Sequence, residues 1–336
     1  MTKKTIEAPG FTIPGIEDIT RRDFLVGGAA ALLLGGCGSD RGSNESSGER
    51  RPFEHAMGTT EVPVRPERVV ALDSLRILEP LLQLDITPAG AVVTANILSN
   101  PGDIERVGTS LEPSIEAIAA LEPDLIVGEE SLQEEMYDQL SQIAPTVLAY
   151  DIATDGNALD RQRFLAELVG RLDRFEELVS DYEGRVEGVR NRLAPMRESL
   201  EVSPLNPYAE SDVVYCYRGD FLGSTRVLSD LGIPLSAGVR ELPGDSPQPQ
   251  VSFELIPELD ADVIFALFDP RSEESEIEAF RASPLLEQTF AAENGQVFEV
   301  NSDPWYGGSV LALNLVLDDI ERYLLDREID TSGDFR

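Results

Sequence analysis

From Phe53 onward, short apolar runs alternate with stretches whose apolar residues recur at spacings of three and four. A short apolar run bounded by turn residues fits a buried strand, and the longer spacing fits a helix with one buried face, so the alternation predicts parallel α/β units. In the first half the predicted strands are Val69 to Leu72, Ala89 to Val93, Leu125 to Val127 and Val147 to Ala149. In the second half they are Val213 to Tyr217, Val263 to Leu267 and Val297 to Val300, followed by a helix from about Ser309 to Leu325. Between the halves, Leu172, Phe175, Leu178, Tyr182, Val186, Val189 and Leu193 keep to one helical face up to Pro195. A helix of about 22 residues spans about 33 Å, long enough to bridge two lobes. The expected fold class is α/β, with parallel-sheet lobes at 53–170 and 201–336 joined by one long helix within 171–200.

An internal echo supports two related lobes. Ser114-Ile115-Glu116-Ala117-Ile118 and the residues to Val127 match Ser252-Phe253-Glu254-Leu255-Ile256 and the residues to Phe265 without a gap, at a constant offset of 138 positions. Each copy reads as a Ser N-cap, a helix, a turn and a buried strand. Glu116 and Glu254 then stand in equivalent first turns, where a carboxylate favours the helix dipole by about 0.3 to 1 kcal/mol.

The chain before Phe53 reads differently. Arg21-Arg22-Asp23-Phe24-Leu25 leads into an apolar run ending at Leu34-Gly35-Gly36-Cys37. The run is shorter than the roughly 20 residues a spanning helix needs and reads as a signal segment over 1–36. The paired arginines resemble a twin-arginine export signal, and the four residues ending in Cys37 resemble a lipobox whose cysteine is lipidated after cleavage. Residues 38–51 contain no apolar side chain, so 37–52 is expected to be a lipidated, flexible tether.

Composition narrows the function. Against 62 acidic residues stand 27 Lys and Arg, a formal net charge of −35, which argues against nucleic acid as a partner. Removal of the signal would take away Lys3, Lys4, Arg21 and Arg22 with Glu7, Glu17, Asp18 and Asp23, so the acidity belongs to the mature domain. Lysine occurs only at Lys3 and Lys4, and this acid-rich, lysine-poor chain resembles proteins from very salty habitats. At about 1 M salt the Debye length falls to about 3 Å, which screens carboxylate repulsion. With His55 as the only histidine and Cys216 the only cysteine after Cys37, neither a histidine-rich metal cage nor an internal disulfide can form, and no resident metal or cofactor is expected. No phosphate-binding glycine loop is present and the lone histidine sits near the tether, so the chain is not expected to be an enzyme; an anchored hydrolase using an Asp/Glu pair is the remote alternative.

Several segments together resemble one family, the substrate-binding proteins of ABC importers for ferric siderophores, haem and cobalamin. They are His55-Ala56-Met57-Gly58-Thr59-Thr60, Pro66-Glu67-Arg68-Val69-Val70, the two Ser-x-Glu-x-Ile copies, Val227 to Ile233, and Asp303-Pro304-Trp305-Tyr306-Gly307-Gly308. The resemblance implies two α/β lobes with a ligand cleft between them, a monomer tethered outside the cytoplasm, and an importer permease dimer as partner. It assigns Glu116 and Glu254 to docking in arginine pockets of that permease. The implied ligand is a ferric siderophore, with cobalamin or haem as alternatives, haem because a tyrosine can serve as axial ligand.

In open α/β sheets ligands lie beyond the carboxyl ends of the strands. Residues following predicted strands are therefore candidates: Ser74, Arg76, Thr94 and Asn96 in the first lobe, and Tyr217, Arg218, Phe221, Trp305 and Tyr306 in the second. Arginines and aromatic faces suit an anionic or flat metal chelate. Alternation puts Tyr215 and Tyr217 on one side of their strand and Cys216 on the other, and leaves open which side faces the cleft.

Overall fold

The computed structural model describes residues 49–94, 97–149, 158–196, 200–208, 211–218, 223–244 and 246–325. The expected signal segment, Cys37 and tether residues 37–48 lie outside them, as do Asn96 and Phe221. Residues 50–52, expected in the tether, already belong to strand β1 (Arg50–His55), which pairs with β2 (Gly58–Pro63) in an antiparallel hairpin. Gly58, at φ 113°, makes the reversal.

His55 holds this hairpin to the first lobe. Its Nδ1 accepts from the backbone N–H groups of Leu148 and Met57, both at 3.3 Å, so the ring proton must sit on Nε2, 2.9 Å from the Thr60 hydroxyl. Burial holds the imidazole below its ordinary value, which keeps it neutral in this bonding pattern.

The first lobe is a five-stranded sheet of β3 (Val69–Ala71), β4 (Gly90–Ala91), β5 (Glu105–Arg106), β6 (Leu125–Glu129) and β7 (Thr146–Ala149). Its order is β5-β4-β3-β6-β7, with every pair parallel. The second lobe repeats this order as β10-β9-β8-β11-β12, from β8 (Val202–Tyr208), β9 (Val213–Cys216), β10 (Gln250–Ser252), β11 (Val263–Phe268) and β12 (Val297–Asn301). Here the expectation of a wholly parallel sheet is corrected. Strand β9 runs antiparallel to both β8 and β10, because only residues 209–212 join β8 to β9, and so short a connection cannot make a crossover.

The duplicated segments occupy equivalent places. Each runs into the strand that lies on the far side of the sheet's first strand: Ile115–Ala120 precedes β6, and Phe253–Leu259 precedes β11. The first copy is an α-helix and the second a 3₁₀ turn, since Pro257 within it lacks the N–H that α-helical bonding needs.

The helix Leu172–Leu193 forms as its spacing predicts, burying Phe175, Tyr182, Val186, Val189 and Leu193. The Tyr182 hydroxyl donates to Asp230 at 2.7 Å, and Arg185 reaches the Asn314 side chain at 2.8 Å and Asp318 at 2.7 Å on the helix Val310–Ile320. That last helix also meets the first lobe through its N-terminus. Its first two N–H groups, of Val310 and Leu311, donate to the side-chain oxygens of Gln162 and Gln83, both at 3.0 Å, while Ser309 caps Ala312. Two first-lobe glutamines thus satisfy donors that a helix end cannot satisfy by itself. Apolar residues from both lobes, among them Leu81, Leu193, Trp305 and Val310, share one core cluster. No helix among the described residues is long and apolar enough to cross a membrane.

Candidate ligand site

In each sheet the chain first steps to one side and then crosses to the other, which makes a topological switch between β3 and β6 and another between β8 and β11. A crevice opens at such a point beyond the strands' carboxyl ends. Beyond β3, Asp73 accepts from the backbone N–H of Arg76 at 2.8 Å and from the Ser110 hydroxyl at 3.1 Å, so the turn carrying Arg76 is held from both sides. Glu129, the last residue of β6, meets Arg76 Nη1 through Oε2 at 2.7 Å and Arg161 Nη1 through Oε1 at 2.8 Å. The Glu129 and Arg161 side chains are buried, whereas that of Arg76 is 34% exposed.

Burial pushes the Glu129 carboxyl above its ordinary range despite the two guanidinium groups beside it. Burial also works against the Arg76 charge, but Glu129 more than offsets it and the guanidinium is held above its usual value. A permanent cation therefore stands partly open at the switch point of the first lobe. Around it, the Gln133 side chain accepts from the Glu129 N–H and donates to the Ser110 carbonyl, both at 2.7 Å. Glu79 accepts from the N–H groups of Leu98 and Ser99 at 2.9 and 3.0 Å, which pins the loop after β4.

At the second lobe's switch, Tyr208 ends β8 and Asp269 and Arg271 follow β11. Asp269 accepts from the Arg271 backbone N–H at 2.8 Å and pairs with its guanidinium, which also lies 3.4 Å from Asp303. Tyr215 and Tyr217 pack into the cluster that holds Trp305 and Tyr306, and Cys216 into the other core of the lobe, so the alternation read from the sequence now has its sides. The buried Cys216 thiol is pushed up to about 12, far from a reactive thiolate.

Of Arg76, Tyr217, Arg218, Trp305 and Tyr306, the structure places three near one another. Tyr306, partly buried on the second lobe, lies within electrostatic reach of both Arg76 on the first lobe and Tyr217. Tyr217 itself is 1% exposed, with its hydroxyl accepting from Asn206 at 3.1 Å. Arg218 spends its guanidinium on the carbonyls of Leu242, Gly244 and Ser246, so it ties down a loop.

The fifth, Trp305, is corrected: it is 0% exposed, its ring centroid lies 4.6 Å from that of Phe265, and its indole N–H donates to Asp319 at 2.8 Å. Strand position did not reveal this because Trp305 sits in a short helix, Ser302–Tyr306, where successive side chains turn by about 100°. One neighbour faces the core and the other partly emerges.

Glu129 was missed, although a charged residue directly after Leu125-Ile126-Val127-Gly128 met the same criterion that selected Arg76. Arg161 has no local signal, since it reaches the site from the helix Ala158–Leu168. Elsewhere, Glu116 and Glu254 are both exposed, each behind a Ser N-cap, and neither carboxylate makes a hydrogen bond or ion pair among the described residues. Among the described residues no three His, Cys, Asp or Glu side chains form a group that could hold a metal ion.

Asp303 supplies a pH test. Burial raises its carboxyl to about 6, with Arg271 opposing and Asp269 adding to the shift. The folded state therefore favours the protonated form, a contribution complete below the unfolded value of about 4 and lost as pH rises through about 6. Asp303→Asn, which cannot ionise, should gain stability relative to the native chain between about pH 4 and pH 7. Chemical denaturation across that range checks this, and a constant difference would contradict it.

A family model described as periplasmic binding protein matches residues 69–304. YfiY of Bacillus subtilis (strain 168), a probable siderophore-binding lipoprotein, is 33% identical over 317 residues, covering 88% of this chain and 95% of that protein. The ferric-anguibactin-binding protein FatB of Vibrio anguillarum (strain ATCC 68554 / 775) is 30% identical over 285 residues, covering 80% and 85%. Among solved structures, Staphylococcus aureus SirA complexed with staphyloferrin B superposes with a TM-score of 0.69 at 26% identity, covering 83% of this chain and 100% of that one.

Proposed function

Because the chain belongs to the periplasmic binding protein family, whose members are substrate-binding proteins and not enzymes, we propose that it captures a ferric siderophore outside the cytoplasm and delivers it to an ABC importer. The observation that carries this reading is Arg76, a partly open guanidinium held at the first lobe's switch point, with Tyr306 of the second lobe within electrostatic reach. An arginine and a phenol on opposite lobes suit an anionic, oxygen-rich chelate, which would draw the lobes together by touching both. Arg76 and Tyr306 are the contacts of this reading, with Tyr217 a buried neighbour in the same core cluster. The similarity to YfiY, a probable siderophore-binding lipoprotein, and to FatB, a ferric-anguibactin-binding protein, points the same way. For haem the fit is poorer, because burial pushes the Tyr217 phenol up to about 12 and disfavours the phenolate that would bind iron.

The test is equilibrium binding of ferric citrate, ferrichrome, a ferric catecholate, cobalamin and haem in parallel. Saturable binding of a ferric chelate is expected, and binding of none, or of haem or cobalamin alone, would overturn the reading.

The same reading divides the chain into a signal segment (1–36), a lipidated tether that ends at the hairpin, two lobes and their joining helix. Lipidation at Cys37 after twin-arginine export would hold the protein at the outer face of the cell membrane, where its acidity suits molar salt. Cys37→Ser should release the protein from the membrane fraction or stop its maturation. Unchanged retention and processing would sink the anchor.

A further inference from the structure

We propose that Glu129, braced by Arg161, is a positioning residue that presents one edge of Arg76 to the ligand, and so selects chelates carrying a free carboxylate or similar oxyanion; this rests on the reading of Arg76 as a ligand contact. Glu129 meets the two guanidinium groups through different oxygens. An arginine beside a carboxylate commonly pairs through two parallel N–H bonds, which consume one whole edge of the guanidinium. Glu129 does not do this for Arg76: the contact runs from Nη1 to Oε2 alone, at 2.7 Å, while Oε1 makes no hydrogen bond and lies 2.8 Å from Arg161 Nη1 as an ion pair.

Among the described residues Glu129 is the one hydrogen-bond partner of the Arg76 side chain, and the contact is through Nη1 alone. The edge formed by Nε and Nη2 is thus uncommitted on a side chain that is 34% exposed. Its position is fixed at both ends, by Asp73 on the backbone N–H and by Glu129 on the guanidinium. Asp73 is in turn held by Ser110, and the strand end carrying Glu129 by Gln133. A long side chain held in this way loses little further freedom on binding, and that preorganisation raises affinity for a planar, two-oxygen acceptor.

The charge of the whole chain points the same way. At −35 the protein repels an anionic chelate at long range, and molar salt removes that repulsion by screening without removing contacts made in a partly buried crevice. Selectivity for an anion must therefore come from a local, oriented cation.

The experiment measures affinity for ferric citrate, an anionic carboxylate chelate, and for ferrichrome, a neutral hydroxamate chelate, with the native chain, Glu129→Gln, Arg76→Ala and the double variant. Glu129→Gln and Arg76→Ala should each weaken ferric citrate at least tenfold. The double variant should bind it no more weakly than Arg76→Ala alone, since Glu129 acts through Arg76. Ferrichrome affinity should move less than threefold in all of them. Arg76→Lys provides a second route that leaves Glu129 in place: it keeps the charge but has no planar edge, and should also lose at least tenfold for ferric citrate.

Native affinity for ferric citrate in folded Glu129→Gln or in Arg76→Lys would overturn the inference. So would additive losses in the double variant, or equal losses for both chelates. Native binding of ferrichrome without ferric citrate would overturn this inference while leaving the functional reading intact, whereas binding of no ferric chelate at all would overturn that reading first.

Discussion

Cells carrying Glu116→Ala together with Glu254→Ala are expected to lose chelate uptake, while the purified double variant binds chelate as tightly as the native protein. The two residues lie in equivalent first turns, behind Ser114 and Ser252, on segments that lead into equivalent strands of two lobes with the same strand order. Both are exposed and make no hydrogen bond or ion pair among the described residues, so each is available to a partner. A two-fold permease offering one arginine pocket to each lobe would pair with them through charge-assisted bonds. Losing one carboxylate from such a partly desolvated contact costs about 2 to 5 kcal/mol. As simple first-turn charges they would contribute only about 0.3 to 1 kcal/mol each to folding and nothing to transport. Normal uptake by the double variant would remove the docking role, and weaker chelate binding by either single variant would move that residue into the cleft.

Trp305→Ala is expected to lower folding stability by about 3 to 5 kcal/mol, because it empties a fully buried aromatic site against Phe265. It also leaves Asp319 without the indole N–H, and burial already raises that carboxyl. Trp305→Phe keeps most of the ring volume but not the donor, and should cost about 1 to 3 kcal/mol. Denaturation curves for both variants measure this directly. Native stability in Trp305→Ala accompanied by lost chelate affinity would instead return the ring to the cleft.

The corrected role of Trp305 shows which inferences fail and why. Its place after a predicted strand was legible, but its burial depends on which way a short helix turns, and that is set by the Phe265 and Asp319 packing around it. Glu129 shows the converse. It was visible as a charge at a strand end, yet its importance comes from Arg76 and Arg161, residues 53 and 32 positions away in the chain, meeting it in space. Strand β8 escaped notice because Pro204 and Pro207 remove backbone donors that a strand ordinarily uses. It is nevertheless a central strand, held by pairing with β9 and β11 on its two sides.

Periodic features were readable in one dimension because they repeat along it. The Leu172–Leu193 helix follows from apolar spacing, strands β3, β6, β7, β11 and β12 from short apolar runs, and the relation of the two lobes from a constant offset between duplicated segments. Each of these is a local preference summed over neighbours, so the chain carries it before folding. Three other things had to wait for the folded chain: the direction of β9, the capping of the Val310–Ile320 helix by Gln83 and Gln162, and the sharing of Glu129 between two arginines. The last two are non-local pairings of polar groups, and nothing in composition or period encodes which distant partner a buried donor or carboxylate will find. That choice is made only when burial removes water and brings the distant partners within reach of one another.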